Sequence, residues 1–179
     1  MSVQPISSAQ QPSAAPRQAT ISQQLAEFAA GLSHDTIPQK IRECAKFHIL
    51  DVVGTALAAT HFDFAKHALA GLLGIAEGGR NSVIGMGMKL PLRDAVLLNG
   101  ILAHGLDYDD THPEAIVHPT CSTFPCALGL AEHIDASGRD LLTAYIRGVD
   151  VATRVGIAAS KKVGGAVERD VDFLRVAQV

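Results

Sequence analysis

The sequence NGILAHGLDYDDTHPEAIVHPTCSTFPC, residues 99–126, joins two apolar segments whose hydrophobic residues recur at helical spacing. Acidic and imidazole side chains are concentrated within it: Asp107, Asp109, Asp110, His104, His112 and His118. A hydrophobic core could not satisfy so many charges, so the stretch predicts the rim of a pocket between two helices. Composition leaves an ordinary acidic surface loop open as the alternative.

The segments around this stretch predict an all-α domain with more than half of its residues helical. Apolar residues three and four positions apart indicate helices over about 20–31, 38–59, 63–77, 91–107, 119–134 and 140–160. Thr20 or Ser22 suits the N-cap of the first helix, and Pro38 suits the first position of the second. Pro125 should bend or break the fifth helix. Only SVIGMGMK, residues 82–89, is typical of extended chain, and it predicts one strand or one short hairpin at most.

The ends of the chain differ in composition from this helical region. Residues 1–19 are rich in Ser, Gln, Pro and Ala with a single charge, which predicts a disordered tail. One helical domain is expected over 20–160. From residue 161 the periodicity fades, which predicts an irregular C-terminal tail over 161–179.

Charge and cysteine content exclude several classes of function. A formal net charge of −3 without a Lys/Arg cluster argues against nucleic acid as a partner. No apolar run is long enough to cross a bilayer, so we expect no membrane partner. The three cysteines form no C-x-x-C motif, which argues against a disulfide framework, a zinc knuckle and an iron–sulfur cluster. A reducing compartment, the cytoplasm, fits this cysteine content best.

Three kinds of chemistry are compatible with the acidic stretch. The first is binding of a divalent metal ion by its aspartates and histidines, although their spacing matches no known ligand pattern. The second is phosphoryl transfer, because Asp107-x-Asp109-x-Thr111 matches the D-x-D-x-T motif of haloacid-dehalogenase-like phosphatases. That motif must follow a buried parallel strand, whereas the preceding NGILAHGL has helical spacing.

The third kind is general acid/base catalysis on a carboxylate substrate. Asp107, Thr111 and His118 offer a carboxylate, a hydroxyl and an imidazole, which can abstract one proton and donate another. His104 and Asp107 are three residues apart near the end of a predicted helix, so we expect them on a common face.

Several motifs resemble the signature of the MmgE/PrpD family. They are AVLLNG at 95–100, AHGLDYDDTH at 103–112 and His118-Pro119-Thr120. FHILDVVGTALAA at 47–59 and GLAEHIDASGRDLLTAYIRGVDVATRVG at 129–156 resemble the family's flanking helices. The resemblance covers about residues 22–160.

This resemblance carries expectations about fold and activity. The family includes 2-methylcitrate dehydratases of propionate catabolism, cis-aconitate decarboxylase and some isomerases. It implies a mostly helical large domain, a smaller α+β lid domain and a homodimer. It also implies elimination of water or carbon dioxide from small di- and tricarboxylates without a metal or other cofactor. Carried over by position, the catalytic residues are Asp107, Thr111 and His118, and we expect substrate contacts from His104, Asp110 and His112.

The chain departs from the family pattern after its last predicted helix. Family members continue with a second histidine segment and an active-site lysine, whereas VGGAVERDVDFLRVAQV contains no histidine. We therefore expect an N-terminal portion that lacks the lid domain. It would be either a lyase that needs the missing part or an inactive helical fragment that serves only association.

The charge of the acidic stretch bears on the same question. Residues 104–118 contain no Lys or Arg and would repel a tri-anionic substrate. Compensating cations would come from a partner chain, from the missing part, or from the last helix and its end: Arg147, Arg154, Lys161 and Lys162. We expect the missing part to supply them, and so expect negligible lyase activity from this chain alone.

Overall fold

A computed structural model describes residues 19–164, with side chains described to residue 159, and within this range the all-α prediction is confirmed. The six helices are α1 Ile21–Gly31, α2 Gln39–Ala59, α3 Asp63–Leu73, α4 Leu92–His104, α5 Pro119–Ile134 and α6 Gly138–Gly164. The strands β1 Asn81–Val83 and β2 Met86–Leu90 form one antiparallel hairpin. The expected tail over 1–19 lies outside the described residues except for its last position. Of the irregular tail expected over 161–179, residues 161–164 form the end of α6, and the rest lies outside the described residues.

Helix boundaries follow local chemistry more closely than hydrophobic periodicity. Thr20, one of the two expected N-caps, caps α1 and forms a reciprocal capping box with Gln23. Pro38 is the N-cap of α2 and not its first helical residue, so the helix begins one residue later than expected, at Gln39. Helix α3 ends at Leu73 with Gly74 as its C-cap, about four residues before the predicted end, because glycine is a poor helix former. Helix α5 continues unbroken through Pro125.

Helix α4 lies at the centre of the domain. It contacts α2, α3, α5 and both strands of the hairpin. One face of α4, with Leu98 and Leu102, packs with α2, α3 and the hairpin, while Ala103 belongs to a second core shared by α2, α5 and α6. The acidic loop that follows α4 therefore begins from a rigid, buried element.

The hairpin is attached to α4 and α5 by side chains. Asn99 of α4 accepts a hydrogen bond from the Ile84 backbone N–H at 2.8 Å and donates to the Ser82 carbonyl at 3.0 Å. Asn81 donates to the Gly129 carbonyl of α5 at 2.7 Å. This two-stranded unit is the only sheet in the described range, so the strand that a D-x-D-x-T phosphatase requires is not found before Asp107. The phosphatase interpretation therefore has no structural support.

None of the helices in residues 19–164 has the length and apolar character that a membrane span requires.

Candidate active site

The acidic loop begins where α4 ends, at His104. Gly105 is the C-cap, and a side chain there would collide with the Phe64 ring at 2.3 Å. Asp107 donates its backbone N–H to the His104 carbonyl at 2.8 Å and has a positive φ of 56°. The expected common helical face for His104 and Asp107 is therefore wrong, because the helix ends before Asp107. The two residues are brought together by the left-handed turn instead.

His112 organises the far half of the loop. Its backbone N–H donates to the Val117 carbonyl at 2.9 Å, and its Nδ1 accepts from the Ala115 N–H at 3.0 Å. Ala115 in turn packs against Gly156 of α6, where an added Cβ would lie 2.7 Å from the Ala115 carbonyl oxygen. His112 is buried by these contacts. They are the contacts of a residue that holds the loop closed, and its predicted substrate contact stays a prediction.

Asp110 joins the loop to the start of α5. Its carboxylate accepts from the Thr120 backbone N–H at 3.2 Å and from the Thr120 hydroxyl at 2.7 Å. Thr120 lies in the first turn of α5, where free N–H groups and the helix dipole favour a negative charge. The Thr120 hydroxyl also lies 2.7 Å from the Tyr145 hydroxyl, and burial raises the pKa of Tyr145. The Asp110 carboxylate is thus bound by side chains of the same domain. His48 Nδ1 also lies 3.7 Å from Asp110 Oδ2.

Four side chains converge at the solvent-facing side of the loop. His104 Nδ1 lies 3.0 Å and 3.2 Å from the two Asp109 oxygens, and His118 Nδ1 lies 3.4 Å from Asp109 Oδ1. His118 Nε2 lies 3.9 Å from Asp107 Oδ1. The two imidazole rings meet edge to face with centroids 4.8 Å apart. We call His104, Asp107, Asp109 and His118 the His/Asp cluster.

The members of the His/Asp cluster differ greatly in exposure. The Asp109 side chain is 0% exposed, whereas those of His118, His104 and Asp107 are 31%, 50% and 80% exposed. A ligand approaching from solvent would therefore meet Asp107 and the two imidazoles, with Asp109 behind them.

The structure brings together three of the six residues that the sequence singles out, namely Asp107, His118 and His104. Asp110 and His112 contact other partners, and Thr111 is exposed without a hydrogen bond to the cluster among the described contacts. From the sequence, Asp109 is a candidate for metal binding and a member of the D-x-D-x-T motif, but it has no expected part in acid/base catalysis. No sequence signal distinguishes Asp109 from Asp107 and Asp110, because the burial of each depends on the non-periodic backbone of the loop.

Positive charge is scarce around the cluster. In the described part of the chain, the ion pairs of Asp107 and Asp109 are all with histidines. The arginines of α6 bind elsewhere, since Arg147 donates to the Leu32 carbonyl and Arg154 pairs with Asp150 at 3.0 Å.

Burial, reinforced by the neighbouring Asp109 carboxylate, raises the pKa of the Cys121 thiol to about 12.

The donor atoms of the cluster are also close enough to hold a metal ion. One imidazole or carboxylate atom from each of the four residues lies within 4.8 Å of the others. Two imidazoles and two carboxylates suit a divalent transition metal. The same atoms also form imidazole–carboxylate contacts with one another, so their proximity alone does not require an ion.

Comparison with known proteins gives a consistent family. A sequence model described as the MmgE/PrpD N-terminal domain matches residues 23–170. The cis-aconitate decarboxylase of Aspergillus terreus is 26% identical over 149 residues, covering 82% of this chain and 29% of that protein. The cis-aconitate decarboxylase of Homo sapiens is 28% identical over 142 residues, covering 76% and 29% respectively. The chain thus spans less than a third of the length of these relatives.

Proposed function

Because the chain belongs to the MmgE/PrpD family, with its N-terminal domain matched over residues 23–170, we propose that it supplies the proton-transfer groups of a lyase for small di- and tricarboxylates. The observation that carries the proposal is the His/Asp cluster. It presents an exposed carboxylate, Asp107, beside an imidazole, His118, with 3.9 Å between Asp107 Oδ1 and His118 Nε2. Similarity to cis-aconitate decarboxylases supports elimination next to a carboxylate as the reaction class.

In the proposed reaction, Asp107 and His118 divide the proton transfers. For dehydration, Asp107 removes a proton from the carbon beside the substrate carboxylate. A carbon–carbon double bond forms, and protonated His118 gives its proton to the leaving hydroxyl. For decarboxylation, the bond to the carboxylate carbon breaks, carbon dioxide leaves, and the carbanion takes a proton from His118. Each role is expected to contribute about 10²–10⁴-fold.

The charge around the cluster limits what this domain does by itself. An anionic substrate beside Asp107 and Asp109 is repelled, each close charge pair costing about 1–4 kcal/mol at effective dielectrics between those of water and a protein surface. The described arginines of α6 are committed to other partners. The proposal therefore assigns the substrate-neutralising cations to another polypeptide segment or to a second chain in a homodimer.

A chimeric enzyme tests the proposal. Residues 19–164 of this chain would replace the matching segment of the Aspergillus terreus cis-aconitate decarboxylase, and turnover of cis-aconitate and 2-methylcitrate would be measured for the chimera and for the 179-residue chain alone. We expect turnover by the chimera and negligible turnover by the chain alone. Asp107→Asn and His118→Asn should each lower kcat of the chimera by about 10²-fold or more.

The matched control is Asp63→Asn, because Asp63 is an exposed aspartate whose ion pair with Lys66 lies on α3, outside the loop. The control should retain full turnover. Unchanged kcat in both Asp107→Asn and His118→Asn would refute the assignment. Loss of turnover after dialysis against a chelator, with recovery on adding a divalent metal, would favour the metal-binding alternative.

Association is a second candidate function, and α2 carries the observation that favours it. Phe47, Leu50 and Leu57 lie on α2 and are 68%, 69% and 45% exposed. Exposed large apolar side chains on one helix are typical of a contact surface. A chimera without turnover, together with a self-associating isolated chain, would favour this role.

A further inference from the structure

Asp109 has no assigned role in the proposed proton transfers, yet it is the most enclosed member of the His/Asp cluster. Its side chain is 0% exposed, and both of its oxygens face His104 Nδ1, at 3.0 Å and 3.2 Å. Oδ1 also lies 3.4 Å from His118 Nδ1. One buried carboxylate therefore contacts the Nδ1 atoms of both histidines.

Burial of a carboxylate is costly unless N–H or O–H groups point at it. In the described part of the chain, no Lys or Arg pairs with Asp109, and its ion-pair partners are the two imidazoles. The favourable arrangement places a proton on Nδ1 of each ring, because only a protonated ring nitrogen can donate to the carboxylate. A neutral imidazole protonated at Nδ1 has its lone pair on Nε2.

His118 Nδ1 is the second ring nitrogen that faces Asp109. This atom is buried and makes no hydrogen bond of normal geometry with any residue that the structure describes, although Asp109 Oδ1 is 3.4 Å away. A proton on Nδ1 would have the Asp109 carboxylate as an acceptor. The other nitrogen, Nε2, faces Asp107, the exposed carboxylate.

The backbone explains why Asp109 points inward while Asp107 points outward. Asp107 has a left-handed φ of 56°, and its N–H donates to the His104 carbonyl in the turn that follows α4. Asp110 is then held at the first turn of α5 by Thr120. Asp109 lies between these two anchors and is directed beneath the imidazoles.

We infer that Asp109 is a positioning residue that holds His104 and His118 as Nδ1–H tautomers, so that each presents Nε2 as its reactive nitrogen. The inference rests on the proposed function in one respect: the orientation serves catalysis because Nε2 of His118 is the atom that exchanges a proton with substrate. The tautomers themselves can be measured without any turnover.

The experiment is nitrogen NMR on the full 179-residue chain labelled at histidine. Spectra would be recorded in a chelator at increasing pH, to about pH 8.5 or above, until the ring signals no longer change with pH. Single His→Gln variants assign the signals. We expect His104 and His118 to carry the proton on Nδ1. His112 is an internal reference of the opposite tautomer, since its Nδ1 accepts from the Ala115 N–H.

Substitution of Asp109 is the decisive test. An asparagine keeps only one acceptor oxygen and offers an amide N–H in place of the other, so the Nδ1–H preference of at least one ring should weaken. Asp109→Ala, which leaves no acceptor, should release both rings toward the Nε2–H tautomer. His112 should not change, and the surface control Asp63→Asn should alter none of the three. The proposal is overturned if wild-type His118 is protonated on Nε2, a result that needs no variant and so is independent of how Asp109→Asn folds. It is also overturned if a folded Asp109→Ala, in which no acceptor oxygen remains, leaves both tautomers unchanged.

Kinetics of the chimera separate this inference from the proposed function. Asp109→Asn should lower kcat by about 10²-fold without raising KM, because the imidazole is misoriented while loss of the Asp109 charge lessens the repulsion of an anionic substrate. Unaltered tautomers with intact Asp107 and His118 dependence would reject only the positioning role. If the wild-type tautomers are as expected but kcat does not depend on Asp107 or His118, only the proposed function is rejected.

Discussion

At the scale of single residues, the clearest contrast is between two cysteines on α5. Cys121 donates its thiol hydrogen to the His118 carbonyl at 3.2 Å, and burial together with Asp109 raises its pKa to about 12. Cys126 is exposed. Because the thiolate is the reactive form, we expect iodoacetamide at about pH 8 to alkylate Cys126 much faster than Cys121, measured by peptide mass spectrometry over time.

The same molecule provides the control for this prediction. In denaturant both thiols should react at similar rates, since the burial and the Asp109 charge are then removed. Asp109→Asn should speed the reaction of Cys121 while the rate at Cys126 stays the same. Equal rates at the two cysteines in the native protein would contradict the arrangement of Cys121 beneath the loop.

At the scale of helices, packing of α4 against α5 depends on Gly129. An added Cβ would lie 2.5 Å from Val96 Cγ2 and 3.0 Å from Leu92 Cδ1. Val96 is β-branched and stiff about χ1, so its methyl group moves aside only at a cost. We expect Gly129→Ala to lower the free energy of unfolding by about 1–3 kcal/mol, measured by urea denaturation.

Gly54 offers a matched control in the interior of α2. A Cβ there meets nothing within 4 Å, so Gly54→Ala should raise the free energy of unfolding by about 0.5–1 kcal/mol through helix propensity alone. Opposite signs for the same substitution would identify close helix contact as the cause. A stabilising Gly129→Ala would show that α4 and α5 lie further apart than described.

At the scale of the whole molecule, α1 is the least firmly attached helix. It has no buried residues, and its contacts run mainly to α6. Arg154 stacks over the Phe28 ring at 4.4 Å, and Arg147 donates to the Leu32 carbonyl just after α1. We expect α1 amides to exchange with deuterium well before those of the central helix α4, measured by mass spectrometry.

Phe28→Ala should accelerate exchange in α1 several-fold, because a partly exposed cation–π contact contributes about 0.5–1 kcal/mol. Exchange in α4 should stay the same. Lys46→Ala, which removes only a surface pair with Glu43 on α2, is the control and should leave α1 unchanged. Exchange of α1 as slow as that of α4 would disprove its marginal attachment.

Much of the architecture was predictable because its causes are local. Helical periodicity placed all six helices, and a short extended run placed the hairpin. The N-cap at Thr20 can be predicted from the sequence, because capping involves residues only three positions apart. Three candidate site residues, His104, Asp107 and His118, come together partly because one short loop carries them all.

By itself, then, the sequence determined the fold class, the order of elements, the resemblance to a family and the stretch that carries the polar groups. Only the tertiary structure decided the exposure and the contacts of each aspartate in the loop. Asp107 turns outward on a left-handed residue, Asp109 is buried under two imidazoles, and Asp110 is bound by Thr120 at the start of α5. The reason is physical. A loop has no repeating pattern, so the direction of each side chain depends on contacts with α5 and α6 that lie far along the chain.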